Sequence, residues 1–384
     1  MPNIPYGRHA IDEADIEAVV EVLRSDWLTT GPKVDQLESA LVAYLGTGHV
    51  VAVNSGTAAL HCAMHAIGIG PGDEVIVPAM TFAATANAVL YQRGVPVFAD
   101  VQPGTLLIDV ADVARKITPK TRAIIAVDYA GAACEYSELR SLAERHRLTL
   151  VADACHALGG RYRGQPIGTQ ADVSCFSMHP VKALTSGEGG FVATGNPFFA
   201  QRIRNFRNHG IDLDFRQRQT AGTWQYAMIE LGFNYRLSDI QCALALSQLN
   251  KLDAWIARRQ ELAAEYGRLL ADARFAQPLT HSNPSEHAFH LYVIRWKGVE
   301  CGVGRDAALG WLRRQGIGVN VHYLPVYLHP FYQKRLHVPA GTCPFAEQAY
   351  SEILSLPIFP AMDAQMVGFV VSKMEECQRW ARAA

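Results

Sequence analysis

The sequence predicts an α/β protein: a mainly parallel central sheet with helices on both faces, followed by a smaller C-terminal α+β domain. Two observations predict it. Short apolar runs bounded by turn residues alternate with helical patterns through the first two-thirds of the chain, and such alternation builds parallel sheets covered on both sides. Past Ser238 the alternation gives way to one long helical stretch and then to mixed short elements.

Val50–Asn54, Glu74–Pro78, Pro96–Val101, Ala123–Asp128, Thr149–Asp153 and Val173–Ser177 read as buried strands, with Ala58–Ala66 and Tyr136–Arg147 among the helices between them. Gly189–Thr194 reads as a further strand, entered through a tight turn that permits an antiparallel direction. Ser238–Leu270 holds a helical pattern for roughly nine turns, with Ile240, Ala243, Leu244, Leu249, Leu252 and Ile256 as its apolar stripe and Ser238 or Asp239 as its cap. A helix of that length can carry the chain from a large domain, residues 1–250, into a small one, residues 251–384.

Composition narrows the function class. The 384 residues have 49% hydrophobic and 18% charged content and a net charge of −1, as in ordinary globular proteins. Without Lys/Arg runs there is no electrostatic footprint for nucleic acid or an anionic membrane. Acidic residues at Asp12, Glu13 and Asp15 precede any apolar stretch, and no uninterrupted apolar run approaches the ~18 residues of a spanning helix. The 8 cysteines, including Cys301, are scattered with no CxxC pair and read as reduced thiols, so a cytoplasmic protein is expected.

The chemistry concentrates around Ser177-Met178-His179-Pro180-Val181-Lys182, which leads into Gly187-Glu188-Gly189-Gly190. A lysine among small and apolar residues loses its proton more easily and can attack a carbonyl, so Lys182 is the candidate Schiff-base lysine. If that carbonyl belongs to pyridoxal phosphate, the pyridine nitrogen needs a carboxylate; Asp153, closing a strand, supplies one. The phosphate needs an anion site. Asn54-Ser55-Gly56-Thr57 runs from a strand end into a helix N-terminus, where backbone N–H groups favour one. Phe82 can pack on the ring, and His156, three residues past Asp153, can reach the ring oxygen if the chain turns helically there. A metal cluster of Asp153, Cys155, His156, Cys175 and His179 is the competing reading, but the spacing lacks tight ligand repeats and leaves Lys182 idle.

Asp153-Ala-Cys-His-Ala-Leu-Gly159, the Lys182 segment, Trp27-Leu-Thr-Thr-Gly-Pro32, Asn54-Ser-Gly-Thr57 and Gly232-Phe-Asn-Tyr-Arg-Leu-Ser-Asp239 together resemble the DegT/DnrJ/EryC1/StrS family of nucleotide-sugar aminotransferases, over essentially the whole chain. The resemblance implies the fold-type-I pyridoxal 5′-phosphate architecture. It implies that Lys182 carries the Schiff base and then moves the proton, with Asp153 on the pyridine nitrogen, His156 on the ring oxygen and Phe82 on the ring face. Gly56, Thr57 and Ser177 would hold the phosphate, joined by Asn234 of a second subunit in a homodimer with shared sites. Relatives that dehydrate at C3 have histidine in place of the lysine, so Lys182 implies amination.

The Asp-x-x-His form, Val127-Asp-Tyr-Ala-Gly131 and Gly316–Tyr327 are similar to the branch acting on UDP-linked 4-keto-6-deoxy amino sugars in pseudaminic acid biosynthesis, while Trp27 and Met178 depart from its usual residues. That likeness implies L-glutamate as donor, amination at C4, and Tyr6, Trp27, Leu28, Thr29, His322 and Tyr323 around the sugar nucleotide. A C4 aminotransferase for a UDP-pentose or dTDP-hexose, and a non-catalytic cofactor-binding descendant, are the alternatives.

Overall fold

The computed structural model describes residues 3–281, 283, 286–298 and 302–383, so Cys301 lies outside the described residues. Its centre is a seven-stranded sheet in the order β1-β9-β8-β5-β4-β2-β3. In chain order β1 is His49–Val53, β2 Glu74–Pro78, β3 Val95–Ala99, β4 Thr121–Val127 and β5 Thr149–Asp153. A small ribbon of β6 (Arg161–Tyr162) and β7 (Gln165–Pro166) precedes β8 (Val173–Ser177) and β9 (Gly190–Thr194). The strands are Val-, Ile- and Ala-rich because both sheet faces are covered, and nearly all of their residues are buried. β9 alone runs against its neighbours, pairing antiparallel with β8 and β1, as the tight turn before it allows.

The expected strands recur with small shifts at their ends. The strand expected to reach Val101 stops at Ala99. The cause is Asp100, whose carboxylate accepts the N–H groups of Phe345 and Ala346 at the start of the Pro344–Glu352 helix. The Asp100 N–H leaves the ladder as well, donating to Asp112 Oδ2 at 2.6 Å.

The single long helix expected from Ser238 is two helices, Asp239–Leu249 and Leu252–Leu269, parted at Asn250 and Lys251. Neither break residue is a Pro or Gly, so the apolar period reads straight through. The break arises because each half packs on a different layer: the first on the helices Glu13–Leu23 and Pro32–Leu45, the second on the C-terminal helix Ala364–Ala383. Lys251 pins the corner with an ion pair to the buried Asp15 at 2.9 Å. Gln248 adds a hydrogen bond to the same carboxylate at 2.7 Å.

A second hydrophobic core sits around the antiparallel sheet of β10 (Ala276–Pro278), β11 (Tyr292–Trp296) and β12 (Ile353–Leu356). Ile4 joins it by bridging to Ile317, which brings the N-terminal segment and Tyr6 against His322. Val326, Tyr327 and Tyr332 belong instead to the first core, tying the His322–Tyr323 segment to the main sheet. Among the described residues no helix is long and apolar enough to cross a membrane.

Candidate active site

The C-terminal ends of β4, β5 and β8 converge on one cavity of about 540 Å³. Asp153, the last residue of β5, is 6% exposed. Its Oδ2 accepts the Thr85 hydroxyl at 2.6 Å, and Thr85 Oγ1 lies 2.7 Å from Thr81 Oγ1. The Cys155 N–H donates to Oδ1 at 3.3 Å. A carboxylate so fixed is oriented before any ligand arrives.

Facing it, the Gly56–Ala66 helix begins at Ser55, whose hydroxyl accepts the Ala58 N–H at 3.0 Å. The first helical amides, of Gly56 and Thr57, have no acceptor one turn earlier and point outward. Gly56 is required there: a Cβ would stand 2.8 Å from Ser177 Cβ and 3.3 Å from Cys155 Sγ. The Gly-Glu-Gly-Gly turn has a similar steric basis. Gly187 sits at φ +81, and a Cβ on Gly190 would meet the Phe176 carbonyl and the Ser55 backbone at 2.6 Å. The turn thus presses β9 against Ser55 and delivers Ser177 to the helix end.

Lys182 lies in the loop after β8, half-buried, with its N–H bonded to the His179 carbonyl at 2.9 Å. Desolvation pulls its ammonium pKa below the ordinary amine value, opposed by Cys155 and Asp153. His156 is buried, and its Nδ1 accepts the Ala130 N–H at 3.3 Å. That donor assigns the neutral ring's proton to Nε2, which donates to the Tyr323 hydroxyl oxygen at 3.1 Å. The phenolic proton of Tyr323 is then free to be offered elsewhere. Burial, with Lys182 and His322 nearby, holds the His156 imidazole well below the usual pKa, so it is neutral near pH 7. His322 is tied to Ser355 Oγ at 2.7 Å, and the exposed Phe82 ring lies 6.0 Å from that of Tyr323.

Beside Asp153, Asp128 is fully buried and accepts the Cys134 N–H at 2.9 Å and the Tyr136 hydroxyl at 2.8 Å. Burial raises its carboxyl from 3.8 to about 7. A raised acid is a proton held by the folded state: its contribution is complete below pH 3.8 and is lost as pH rises through about 7. The loss amounts to about 4 kcal/mol at most. Asp128→Asn keeps an acceptor for Cys134 and removes the titration. Denaturant melts of wild type minus Asp128→Asn should therefore show stability falling between pH 4 and 7, and a flat difference would refute the assignment.

Tyr6, Gly56, Thr57, Phe82, Asp153, His156, Ser177, Lys182, His322 and Tyr323 all line this one cavity. Trp27, Leu28, Thr29 and Asn234 do not. They gather on another face, where Leu28 O accepts the Asp239 N–H at 3.0 Å, Thr29 bridges Ser238 and Asn234 bridges Asn208. Thr29 lines an arginine-rich cleft with Arg204, Arg207, Arg216 and Arg236. Sequence reasoning missed Thr85, Ala130 and His290. Thr85 and Ala130 act through contacts far apart in the chain, and His290 sits in an apolar run that reads as core.

An amine with a lowered pKa, a buried strand-end carboxylate and a glycine-lined helix N-terminus fit the reactive carbon, ring nitrogen and phosphate of pyridoxal phosphate respectively. Fold and site define a pyridoxal-phosphate-dependent aminotransferase of fold type I. The chain belongs to the DegT/DnrJ/EryC1/StrS aminotransferase family, whose model matches residues 9–375. It is similar to the putative sugar aminotransferase Spr1654 of Streptococcus pneumoniae in its pyridoxamine-phosphate form, with TM-score 0.92 and 32% identity over 99% of this chain and 100% of that one. Helicobacter pylori PseC, an aminotransferase involved in the biosynthesis of pseudoaminic acid, matches with TM-score 0.90 and 30% identity over 98% and 100%. DesV of S. venezuelae matches with TM-score 0.88 and 35% identity over 99% of each chain.

Proposed function

We propose that this aminotransferase moves an amino group from L-glutamate to C4 of a UDP-linked 4-keto-6-deoxy-N-acetylhexosamine, in pseudaminic acid biosynthesis. The observation that carries it is the His156–Tyr323 hydrogen bond. It joins, at one cavity wall, the two sequence features that liken the chain to the UDP-amino-sugar branch: the Asp-x-x-His motif and the Gly316–Tyr327 segment. The similarity to H. pylori PseC, an aminotransferase involved in the biosynthesis of pseudoaminic acid, supports the same pathway.

Bound pyridoxal phosphate supplies the electron sink for breaking the bond to the donor's α-hydrogen. Asp153 would hold the ring nitrogen protonated, and Gly56, Thr57 and Ser177 would bind the phosphate. His156 and Tyr323 would orient the ring oxygen, and Phe82 would cover the ring. Burial lowers the basicity of Lys182 Nζ, which eases release of the proton that it would take from one carbon and return to another. In the sugar half, the nucleotide supplies binding energy remote from C4.

Residues 1–250 would form the unit that grips the cofactor, and 251–384 the unit that brings His322 and Tyr323 over it. Trp27, Leu28, Thr29 and Asn234 would serve the cavity of a partner copy in a homodimer. Support comes from the exposed apolar side chains in this group: Leu28 is 49% exposed, and the Trp27 ring lies 6.3 Å from the ring of Phe215, itself 52% exposed.

A dTDP-linked 4-keto-6-deoxyhexose is the second reading, favoured by the similarity to DesV and to DesI, the latter solved in the presence of its TDP-sugar product. Turnover of the pyridoxamine-phosphate-loaded enzyme with matched UDP- and dTDP-ketosugars separates them. UDP preference by at least about tenfold is expected, as for a site with one more satisfied hydrogen bond; exclusive use of dTDP sugars would sink the proposal.

A further inference from the structure

Three buried histidines line the cavity: His156, His290 and His322. His156 has both ring nitrogens engaged, by Ala130 and Tyr323. His322 has both engaged as well, by Ser355 at 2.7 Å and Asn320 at 3.4 Å. His290 differs. The residue is 6% exposed, its ring lies 4.4 Å from that of His156, and among the described residues its Nδ1 is buried with no hydrogen-bond partner. A buried polar atom without a partner costs about 1–3 kcal/mol, so such a group asks for a physical reason, and of the unpartnered buried atoms this one belongs to a residue that lines the cavity. With no neighbour fixing its tautomer, the ring can carry its proton on either nitrogen.

The position of His290 is set by the backbone. Leu291 N–H donates to the Ala130 carbonyl at 3.1 Å, and Ala288 N–H to that of Gly131 at 3.0 Å. Gly131, at φ +105, admits this approach; a Cβ there would lie 3.1 Å from His290 N. The segment carrying His290 is therefore docked on the turn that supplies Ala130 N–H to His156. One rigid contact sets both imidazoles.

The cavity also poses a charge problem. Within one chain, and among the described residues, its lining holds Lys182 as the one Lys or Arg, while Asp153 and Glu188 are acidic. An amino-acid donor must nonetheless place a carboxylate inside. Resting on the transaminase reading above, we propose that His290 receives the donor's carboxylate and takes up a proton as it does so. The groups facing it are His156 after β5, Lys182 after β8, His322, and Arg259 of the Leu252–Leu269 helix. The ring's burial and these groups favour the neutral imidazole before a donor carboxylate arrives. An incoming carboxylate reverses that balance, because an opposite charge within reach favours the imidazolium. The ketosugar has no carboxylate at its reacting end, so His290 serves one half-reaction and not the other.

The test uses full-length holoenzyme and the variants His290→Asn and His290→Gln, whose unchanged cofactor absorbance and melting temperature certify folding. Each half-reaction is followed separately by cofactor absorbance. His290→Asn should raise KM for glutamate by about tenfold to a hundredfold, the range of a lost charge-assisted hydrogen bond. KM for the ketosugar should stay within about twofold. Calorimetry with glutarate, a non-reacting dicarboxylate, in buffers of different ionisation enthalpy at pH 8 should show uptake of about one proton by wild type and none by either variant. Equal KM changes for both substrates, a change for the ketosugar alone, or proton uptake surviving in His290→Asn would overturn the assignment. A wild-type cofactor spectrum unmoved by glutamate would instead bring down the proposed donor itself, and His290's role with it.

Discussion

Lys182→Ala should leave a folded protein that binds pyridoxal phosphate yet turns over at least about 10⁴-fold more slowly. On the proposed mechanism Lys182 would act both as the amine that attacks the carbonyl and as the group that moves the proton, and proton transfer alone is worth about 10²–10⁴. Borohydride treatment of wild type should fix the cofactor covalently at Lys182, and the variant should take up no label. Retention of a covalent label by Lys182→Ala would show that another residue carries the cofactor. The fold should tolerate the change, since Lys182 is half-buried in a loop and its backbone bond to His179 is untouched. The same variant tests the shared site. Mixed with Asn234→Ala, it should recover part of the wild-type rate, because a hybrid dimer would contain one cavity with both residues intact. No recovery on mixing, with exchange of subunits verified, would refute the shared site.

Much of this site was legible because its groups sit where chain direction changes. Asp153 and Ser177 end strands, Gly56 opens a helix, and Lys182 follows a strand exit; each of those transitions leaves a mark of turn residues after an apolar run. The antiparallel β9 was legible for the same reason, since only four residues of Gly-Glu-Gly-Gly separate Ser186 from Phe191. What escaped was tertiary. Thr85 touches Asp153 across 68 residues, and His156 meets Tyr323 across 167. No local period records such contacts. The break at Asn250–Lys251 escaped because packing on two different layers, not helix propensity, decides it.

Asp153→Asn should lower turnover by about 10²- to 10³-fold while leaving substrate KM values nearly unchanged. Breaking a buried charged pair by removing one partner costs about 3–5 kcal/mol, and here the loss falls on the reacting state, because a protonated ring nitrogen draws electrons only as charge develops. The structure explains why asparagine can be housed. Its amide oxygen can still accept the Cys155 N–H, and Thr85 can turn its hydroxyl to accept from the amide. The defect should therefore be electronic and not a failure to fold. Two readouts separate the cases: the variant's visible cofactor band should shift as the ring nitrogen loses its proton, and its melting temperature should stay near that of wild type. Thr85→Val leaves the carboxylate and removes one hydrogen bond to it, so it should lose only about tenfold. A Thr85 variant as slow as Asp153→Asn would mean that the carboxylate's orientation, more than its charge, sets the rate.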